Sequence, residues 1–568
     1  MHDFKVRALE FHSMYILEYA TLVKVLDFMQ DTGLNTLILH RNDFIDLVVY
    51  PAKYFGAAKE HYDNIYERFS DIYMNVATYT QYRKNSTYQR RALFKRVLFE
   101  AKKRGIDVYI ENKELLFPEI MLEFHPELVK GGKICASEPL WLEFLHYKYT
   151  EFFDEFPEVK GIITSISTKE SRASIVSNRC QCERCKTISR EEWFKNILEA
   201  MYKPIRKAGA DFVVRDFVYH ASTHNELASV LEKLPDDVII ALKNTPHDYY
   251  PTFPDNARIG NVGNHRQWIE FDVWGQFYGF GAAPCILIDD LRYRMDYAFQ
   301  RGAEGVMLRV DWEHLDSHTC FNNLNLINLI AGARISSELN YDRESIYREY
   351  LEYMEFFDEN ATTDEKLQGI TWFGGLMDKT WHIVRKTAFV DGHVMNNCSC
   401  FPISYKTAIW TAVDHNSLRD WDPSRRDIFS PTEENYHAVF AEKDEAGAEF
   451  RCLAAEFRKG SAGVSEECVD YVGWYFDAFR LYIEGCSRTA KAVYVVNYLL
   501  KAPSGTAFWN EVKAGAPAVM AGLLELIDLL DKFYESTDYP NIVYTALDAD
   551  RVRSLHKDLS RILAEEVK

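Results

Sequence analysis

The stretch LPDDVIIALKNT, residues 234–245, turns at a proline, continues as an apolar run and ends in Lys243 and Asn244. A β-branched run of this length behind a turn is typical of a strand that is buried on both faces. Seven further runs of this kind occur in the first 340 residues, most of them behind a Gly or Pro that can end a helix. They lie within residues 4–12, 31–43, 103–114, 157–168, 207–219, 266–274 and 301–313.

Amphipathic segments separate most of these runs, at residues 87–104, 137–155, 193–208 and 287–301. Eight β-rich runs that alternate with helical segments predict an α/β fold, a (β/α)8 TIM barrel over residues 1–340. An open, doubly wound sheet is the alternative. Such a sheet usually has a Gly-rich phosphate turn after its first strand, and LEFHSMYILEY, residues 9–19, has none. The barrel is therefore favoured.

Beyond residue 340 the β-rich runs give way to segments of helical period, which predict an all-helical C-terminal domain over residues 341–568. No low-complexity linker precedes this segment, so we expect it to pack closely against the barrel. Residues 44–86 are rich in Tyr and polar groups and predict a long insertion after the second strand.

The composition is that of a globular protein, with 47% apolar and 27% charged residues. A formal net charge of −19 argues against a nucleic acid or an anionic membrane as the main partner, because both would repel this surface. The sequence contains no run of 18 apolar residues, so no membrane span is predicted. The first residues, MHDFKVRALEF, lack the basic region, apolar region and small residues that follow one another in a signal peptide, so we expect a cytoplasmic protein.

Eleven cysteines are scattered along the chain, as in proteins of a reducing compartment. The exception is CQCERC, which contains Cys180, Cys182 and Cys185. Three close thiols could hold a structural zinc ion if a fourth ligand arrives from elsewhere. A loop with three free cysteines is the alternative.

Polar side chains stand where the predicted strands end, and this end of a TIM barrel carries the active site. They comprise carboxylates, cations and aromatics. The sequence shows no nucleophilic Ser or Cys beside a base, no phosphate-binding loop and no His-rich metal cluster. No cofactor is therefore expected. Cleavage of a glycosidic bond needs two carboxyl groups, and aromatic faces stack on sugar rings. The alternative for each charge is a salt bridge that only supports a loop. The residues are His12, His40, Arg41, Asp43, Glu111, Lys113, Glu114, Glu170, Arg215, Asp216, Lys243, Asp248, Glu270, Asp272, Trp274, Gln276, Arg309, Asp311 and Glu313.

Several of these segments, in unbroken order over roughly residues 1–350, resemble the α-glucuronidases of glycoside hydrolase family 67. The family has a Lys-Asn-Gly-Pro-x-Asp-Phe motif with a Pro soon after, and this chain has Lys243, Asn244, Pro246, Asp248, Tyr249 and Pro251. VRDFVY, residues 214–219, is similar to the Arg-Ala-Phe-Val-Tyr of the family. IEFDVWGQFYG, residues 269–279, is similar to a Glu-Phe-Gln strand that continues into Gln-Glu-Tyr. Residues 19–43 and 324–350 look like the second βα unit and the passage into the helical domain.

The resemblance implies an exo-acting hydrolase that removes a terminal, α-linked glucuronic acid or similar uronic acid from an oligosaccharide with inversion. Glu170 takes the place of the catalytic acid and Asp248 that of one base candidate. Arg215 and Lys243 match cations that hold the uronate carboxylate. Asn244, Gln276, Asp272, Trp274, His40 and Tyr250 are expected to complete the substrate site. The resemblance also implies dimer contacts through the helical domain.

The sequence departs from the family at several positions. Gln276 stands where the family has a second base candidate, a Glu, which leaves Asp248, or Asp272 if the loop geometry differs. Ile166 replaces a lysine, the loop after Glu170 differs, and the sequence begins at the barrel without the N-terminal domain of the family. Two alternatives stay open: a glycosidase of the same fold for sialic acid or an N-acetylhexosamine, and a non-catalytic carbohydrate-binding barrel.

Overall fold

The computed structural model describes residues 3–41, 44–48, 89–117, 121–166, 170–176, 180–217, 221–312, 318–536 and 538–567. A closed barrel of eight parallel strands forms its N-terminal part, which confirms the predicted (β/α)8 fold. Each strand pairs with its neighbours in chain order, and the first pairs with the eighth. The strands are β1 Val6–Phe11, β2 Thr36–His40, β3 Asp107–Lys113, β4 Gly161–Ser165, β5 Asp211–Asp216, β6 Ile239–Lys243, β7 Arg266–Asp272 and β8 Gly305–Arg309.

The interior of the barrel is filled by an apolar layer to which each strand contributes one or two side chains. Because side chains alternate between the two faces of a strand, every second residue points inward. Gly161 and Gly305 leave room for the large rings of Tyr109 and Trp268, which a Cβ atom at either position would meet. The layer consists of Ala8, Ile38, Tyr109, Ile163, Val213, Ile239, Ala241, Trp268 and Met307.

Helices cover the outside of the barrel, and a second, larger core lies between them and the strands. Residues 244–265, which connect β6 to β7, form an irregular segment in place of a helix. The described long helices of this part are Tyr19–Thr32, residues 89–103, Leu140–Glu155, Arg190–Lys207, Ala221–Leu231, Ile288–Gln300 and Leu326–Ser337. Short helices lie at Met14–Leu17, Phe44–Val48, Met121–Phe124, Pro126–Leu128, Glu183–Thr187 and Cys320–Asn322. Val129–Lys130 pairs with Lys133–Ile134 in a hairpin.

The C-terminal part is helical, as predicted, and many of its buried side chains belong to the same core as those around the barrel, while a separate small cluster lies between its last long helices. A boundary at residue 340 stays a prediction. The helices are Arg343–Tyr353, Thr363–Met377, Thr380–Ala388, Asn397–Ser399, Tyr405–Trp410, Thr411–His415, Leu418–Trp421, Glu433–Phe457, Glu466–Lys501, Ala507–Tyr534, Asn541–Ala546 and Ala549–Glu565, with a hairpin of Phe389–Val390 and His393–Val394.

None of the helices in the described ranges is both long and apolar enough to cross a membrane. The insertion predicted over residues 44–86 is described only at its beginning, the helix Phe44–Val48, and its remainder lies outside the described residues.

Candidate active site

A layer of charged side chains lies directly above the apolar layer, toward the ends of the strands. It arises because seven of the eight strands place a charged residue or a histidine two residues after an inward apolar one. All seven are nearly fully buried, so each must be either neutral or balanced by an opposite charge nearby. They are Glu10, His40, Glu111, Arg215, Lys243, Glu270 and Arg309.

Arg215 is the centre of this layer. Its Nη1 donates to Oε1 of Glu111 over 2.8 Å, and its Nη2 lies 2.5 and 2.7 Å from the two carboxylate oxygens of Glu270. Nη2 also donates to the hydroxyl of Tyr249, which itself donates to Glu270. The guanidinium donors are thus used within the protein. Arg215, expected from the sequence to hold a uronate, is placed as a positioning residue beneath the site.

His40 lies between two carboxylates of the same layer. Its Nδ1 lies 2.6 Å from Oε1 of Glu10, and its Nε2 lies 3.0 Å from Oε1 of Glu111. His12 also contacts Glu10, so that Glu10, His12 and His40 could together offer three ligand atoms to a metal ion. Arg309, however, donates from Nε to Nε2 of His12 over 3.0 Å. A cation in direct contact with one prospective ligand argues for a hydrogen-bonded support instead of a metal site.

The carboxyl groups of this layer differ in their protonation. Burial raises the pKa of both Glu10 and Glu111 to about 8, and in Glu111 this outweighs the attraction of Arg215. Burial acts on Glu270 in the same direction, but the positive charges of Arg215 and Lys243 outweigh it and lower its pKa to about 2. Burial thus favours the protonated forms of Glu10 and Glu111, whereas the neighbouring cations favour the ionised form of Glu270.

Lys243 and Asp248 form an ion pair where β6 ends. Nζ of Lys243 lies 2.6 Å from Oδ1 of Asp248, and the ammonium also lies over the rings of Phe217 and Tyr249. Asp248 has a positive φ of 46°, a conformation that L-residues other than Asn and Asp rarely adopt. Burial would raise the pKa of Asp248, but Lys243 and His247 outweigh it and lower that pKa. Asp248 is thus an ionised carboxylate, 14% exposed, at the end of the barrel.

Glu170 is held in a similar way in the loop after β4. Its Oε2 lies 2.5 Å from Nζ of Lys113, which is the last residue of β3 and is itself buried. The side chain of Glu170 is 33% exposed, so it can reach a ligand from above. Hydrogen bonds from Ser171 and Arg172 to backbone carbonyls of residues 114 and 115 fasten this loop to the one after β3.

The loop after β7 is shaped by Asp272. Its two carboxylate oxygens accept hydrogen bonds from the backbone N–H groups of Trp274, Gly275 and Gln276 at 2.8–3.0 Å. Both oxygens are therefore occupied, and the carboxylate serves to hold the turn that carries Trp274 and Gln276. This placement makes Asp272 a support for the loop and leaves Asp248 as the better placed base candidate.

Four of the loop residues expected to bind substrate carry a buried polar atom without a hydrogen-bond partner among the described residues. Two are amide oxygens, which can accept from sugar hydroxyls, and two are donors in aromatic side chains. Buried polar groups are normally paired, so such atoms on loops at one end of a barrel point to a ligand or a water molecule as the missing partner. They are Oδ1 of Asn244, Oε1 of Gln276, Nε1 of Trp274 and the hydroxyl of Tyr250.

The helical part completes one wall of the site. Ser399 Oγ donates to the carbonyl of Gln276 and accepts from the N–H of Gly279, both over 2.8 Å. Nε2 of His247 lies 2.8 Å from Oδ1 of Asn416. His415, which ends a π-helical turn at Thr411–His415, is near enough to lower the pKa of Asp248. π-Helical turns are rare in proteins overall, and those that occur are often found at functional sites.

An exposed aromatic surface adjoins this wall. Trp410 is 42% exposed, and its ring stacks on that of His415 with centroids 4.5 Å apart and planes inclined by 7°. A single exposed ring is ordinary on a protein surface, but this ring packs on His415, whose charge acts on Asp248. Trp410 is therefore a candidate contact for a second sugar unit.

The structure thus brings the predicted strand-end residues to one end of the barrel, apart from Asp43 and Glu313, which lie outside the described residues. Sequence reasoning missed Glu10, Cys398, His415 and Asn416. Glu10 could have been found by extending the period-2 pattern of β1. Cys398, whose sulfur lies 3.5 Å from Nε2 of Gln276, has no such signal.

The three cysteines of CQCERC lie beside the loop that carries Glu170. Cys182 is the N-cap of the helix Glu183–Thr187, and Cys135, which follows the hairpin after β3, lies with them.

No protein-family model matches the sequence, and no curated protein matches it either. Among solved structures, a GH138 enzyme targeting pectin rhamnogalacturonan II superimposes with a TM-score of 0.59 at 11% identity, over 99% of this chain and 68% of that chain. A mutant O-GlcNAc hydrolase of Thermobaculum terrenum gives 0.44 at 11% identity, over 99% and 96%. A β-N-acetylhexosaminidase from Bacteroides fragilis gives 0.38 at 14% identity, over 62% and 70%. The chain therefore shares its fold with a glycoside hydrolase of family 138.

Proposed function

We propose that the protein is an exo-acting glycoside hydrolase that removes a terminal uronic acid, such as α-linked glucuronic acid, from an oligosaccharide with inversion. The observation that carries the proposal is the pair of carboxylates Glu170 and Asp248, each held by its own buried lysine at the same end of the barrel. The fold shared with a glycoside hydrolase supports the reaction class. The sequence resemblance to family 67 supports the acidic sugar.

The topology suits inversion. Glu170 follows β4 and Asp248 follows β6, with only β5 between them. Because neighbouring strands lie about 4.8 Å apart, the two strand ends are separated by about 9–10 Å. Inverting glycosidases keep their two carboxyl groups roughly 6.5–9.5 Å apart to admit a water molecule, and retaining ones about 5 Å. A separation of this size lies near the upper end of the inverting range and well above the retaining one.

In this assignment Glu170 acts in its protonated form, which requires that it release the ammonium of Lys113, and it donates the proton to the glycosidic oxygen as the bond from the anomeric carbon to that oxygen breaks. Asp248 accepts a proton from water, whose oxygen forms the new bond to the anomeric carbon from the opposite face. The lowered pKa of Asp248 keeps it ionised for this role. One ammonium N–H of Lys243 is engaged by Asp248, so the others can hold the uronate carboxylate, while the amides of Asn244 and Gln276 receive sugar hydroxyls.

The test is turnover of acidic oligosaccharides from glucuronoxylan and from pectin, with proton NMR of the first anomer released. An α-linked substrate should give the β anomer. Glu170→Gln and Asp248→Asn should each lower kcat by about 10²–10⁴-fold, the usual contribution of a general acid or base. Glu565→Gln, on an exposed helix end, is the matched control and should keep full activity.

Other outcomes select the alternatives. Turnover of nitrophenyl N-acetylhexosaminides or sialosides, without turnover of uronides, would show that the enzyme acts on another sugar. Saturable binding of acidic oligosaccharides that is unchanged in Glu170→Gln, without turnover of any substrate, would show a non-catalytic binding protein.

A further inference from the structure

Four cysteine side chains from two separate parts of the chain meet beside the loop that carries Glu170. Cys135 follows the hairpin after β3, and Cys180, Cys182 and Cys185 follow β4. Their four sulfur atoms all lie within 4.8 Å of one another. Sequence spacing identified three of them, and folding brings the fourth from 45 or more residues upstream.

The distances match a tetrahedral metal site. A zinc ion bound by four thiolates has zinc–sulfur distances of about 2.3 Å, so its sulfur–sulfur edges are about 3.8 Å long. The sulfur of Cys135 lies 3.5 Å from that of Cys182 and 3.6 Å from that of Cys185. An ion could therefore enter the centre of the group with small side-chain adjustments.

The surroundings suit a negatively charged cluster. The backbone N–H of Cys185 donates to the sulfur of Cys182 over 3.4 Å, and the hydroxyl of Ser137 lies 3.0 Å from the sulfur of Cys185. Lys130 lies near enough to interact electrostatically with Cys135 and Cys182. Such outer hydrogen bonds and cations orient thiolate ligands and offset the charge of a site with four of them.

We propose that Cys135, Cys180, Cys182 and Cys185 bind one Zn²⁺ ion as a structural site. Four sulfur ligands favour zinc over the hard cations that prefer oxygen. Four protein ligands close the coordination sphere, so the ion has no open position for a substrate and does not take part in hydrolysis. This proposal is independent of the sugar that the barrel accepts.

The ion would fasten the loop that carries Glu170. Cys135 is already fixed, because Nε1 of Trp141 donates to its carbonyl over 2.8 Å. Nε1 of Trp193, on the helix that follows Cys185, donates to the carbonyl of Ala136 over 2.8 Å. Zinc would join this fixed point to the far end of the loop after β4 and so hold the loop between two anchors.

Metal analysis of the purified full-length protein tests the site directly. We expect about one zinc ion per chain in the wild-type protein and in Cys452→Ser, an exposed cysteine outside the cluster. Cys182→Ser and Cys135→Ser should retain less than about a tenth of this zinc. Unchanged zinc in both variants would place the ion elsewhere and overturn the proposal.

A second measurement uses only the wild-type chain, in case the variants fold poorly. Co²⁺ added to protein that has been stripped with a chelator should give intense thiolate-to-cobalt absorption and the visible bands of a tetrahedral site, saturating at about one equivalent. Restored zinc should raise the Tm above that of the stripped protein, since metal binding contributes to folding stability. Any of three results would overturn the proposal. The stripped protein could fail to show these bands when Co²⁺ is added, the native protein could contain stoichiometric iron, or mass spectrometry could show two disulfides among the four cysteines.

Discussion

The ammonium of Lys243 lies 2.6 Å from a carboxylate oxygen of Asp248, five residues further along the chain. The same ammonium faces the rings of Phe217 and Tyr249, so it is enclosed on several sides. Burial lowers the pKa of Lys243, and Asp248 opposes this. One buried cation thus keeps a candidate base ionised, and under the proposed function it also receives the carboxylate of an acidic sugar.

Lys243→Met should remove the preference for an acidic sugar. A hydrogen bond to a charged group contributes about 1.5–3 kcal/mol, which corresponds to about a 10–150-fold loss in kcat/KM for the uronide. The matched neutral glycoside should lose much less, so kinetics on both substrates give the comparison. Lys5→Met, at a side chain that is 81% exposed, is the control. An equal loss on both substrates would show that Lys243 acts only through Asp248.

Asp248→Ala and Asp248→Asn should differ in stability although both lose the carboxylate. The φ of 46° at this position is tolerated by Asn but costs most L-residues about 1–2 kcal/mol. The Asn variant should therefore be the more stable by about 1 kcal/mol in urea unfolding, with turnover lost in both. Equal stability of the two variants would contradict the backbone argument.

The stability of Glu111→Gln should respond to pH differently from that of the wild-type protein. Because burial raises the pKa of Glu111 to about 8, the folded state holds a proton that the unfolded state releases near pH 4.5. The wild-type protein should lose stability relative to the variant as pH rises from 5 to 8, by at most about 1.4 kcal/mol per pH unit. The difference should level off once the pH has passed well above the folded-state pKa of Glu111. A constant difference from pH 5 to 8 would mean that Glu111 is ionised throughout.

Trp410→Ala should weaken the binding of the leaving-group sugars. An aromatic contact contributes about 0.5–1.5 kcal/mol, so KM for an oligosaccharide should rise about 2–12-fold with little change in kcat. KM for a small nitrophenyl uronide, which lacks the second sugar, should stay the same. Tyr534→Ala, at a ring that is 72% exposed, controls for loss of a surface aromatic. A fall in kcat alone would indicate that Trp410 acts by positioning His415.

The sequence alone predicts the barrel well because its signal is local. Each strand, such as Ile239–Lys243, is a short apolar run whose polar end marks the top of the barrel. Neighbouring strands in the sequence are neighbours in space, so reading strand ends in order already collects Glu170, Lys243 and Asp248 at one end. The alternation of inward side chains would also have identified Glu10.

Contacts between distant segments could not be predicted in this way. Cys135 joins the other three cysteines only because the loops after β3 and β4 lie side by side. Asn416 meets His247 across 169 residues of chain, and no spacing rule connects them. The role of Arg215 was also hidden, since only the fold shows that Glu111 and Glu270 take up its hydrogen bonds.

The bonds from Ser399 to Gln276 and from His247 to Asn416 also bear on how the protein becomes active during folding. Contacts between residues so distant in sequence form late, because the entropy of closing large loops must first be overcome. Secondary structure in a refolding experiment should consequently return before turnover does. Regain of activity would then report closure of the barrel, in which β1 pairs with β8, together with docking of the last helices, which makes it a sensitive measure of complete folding.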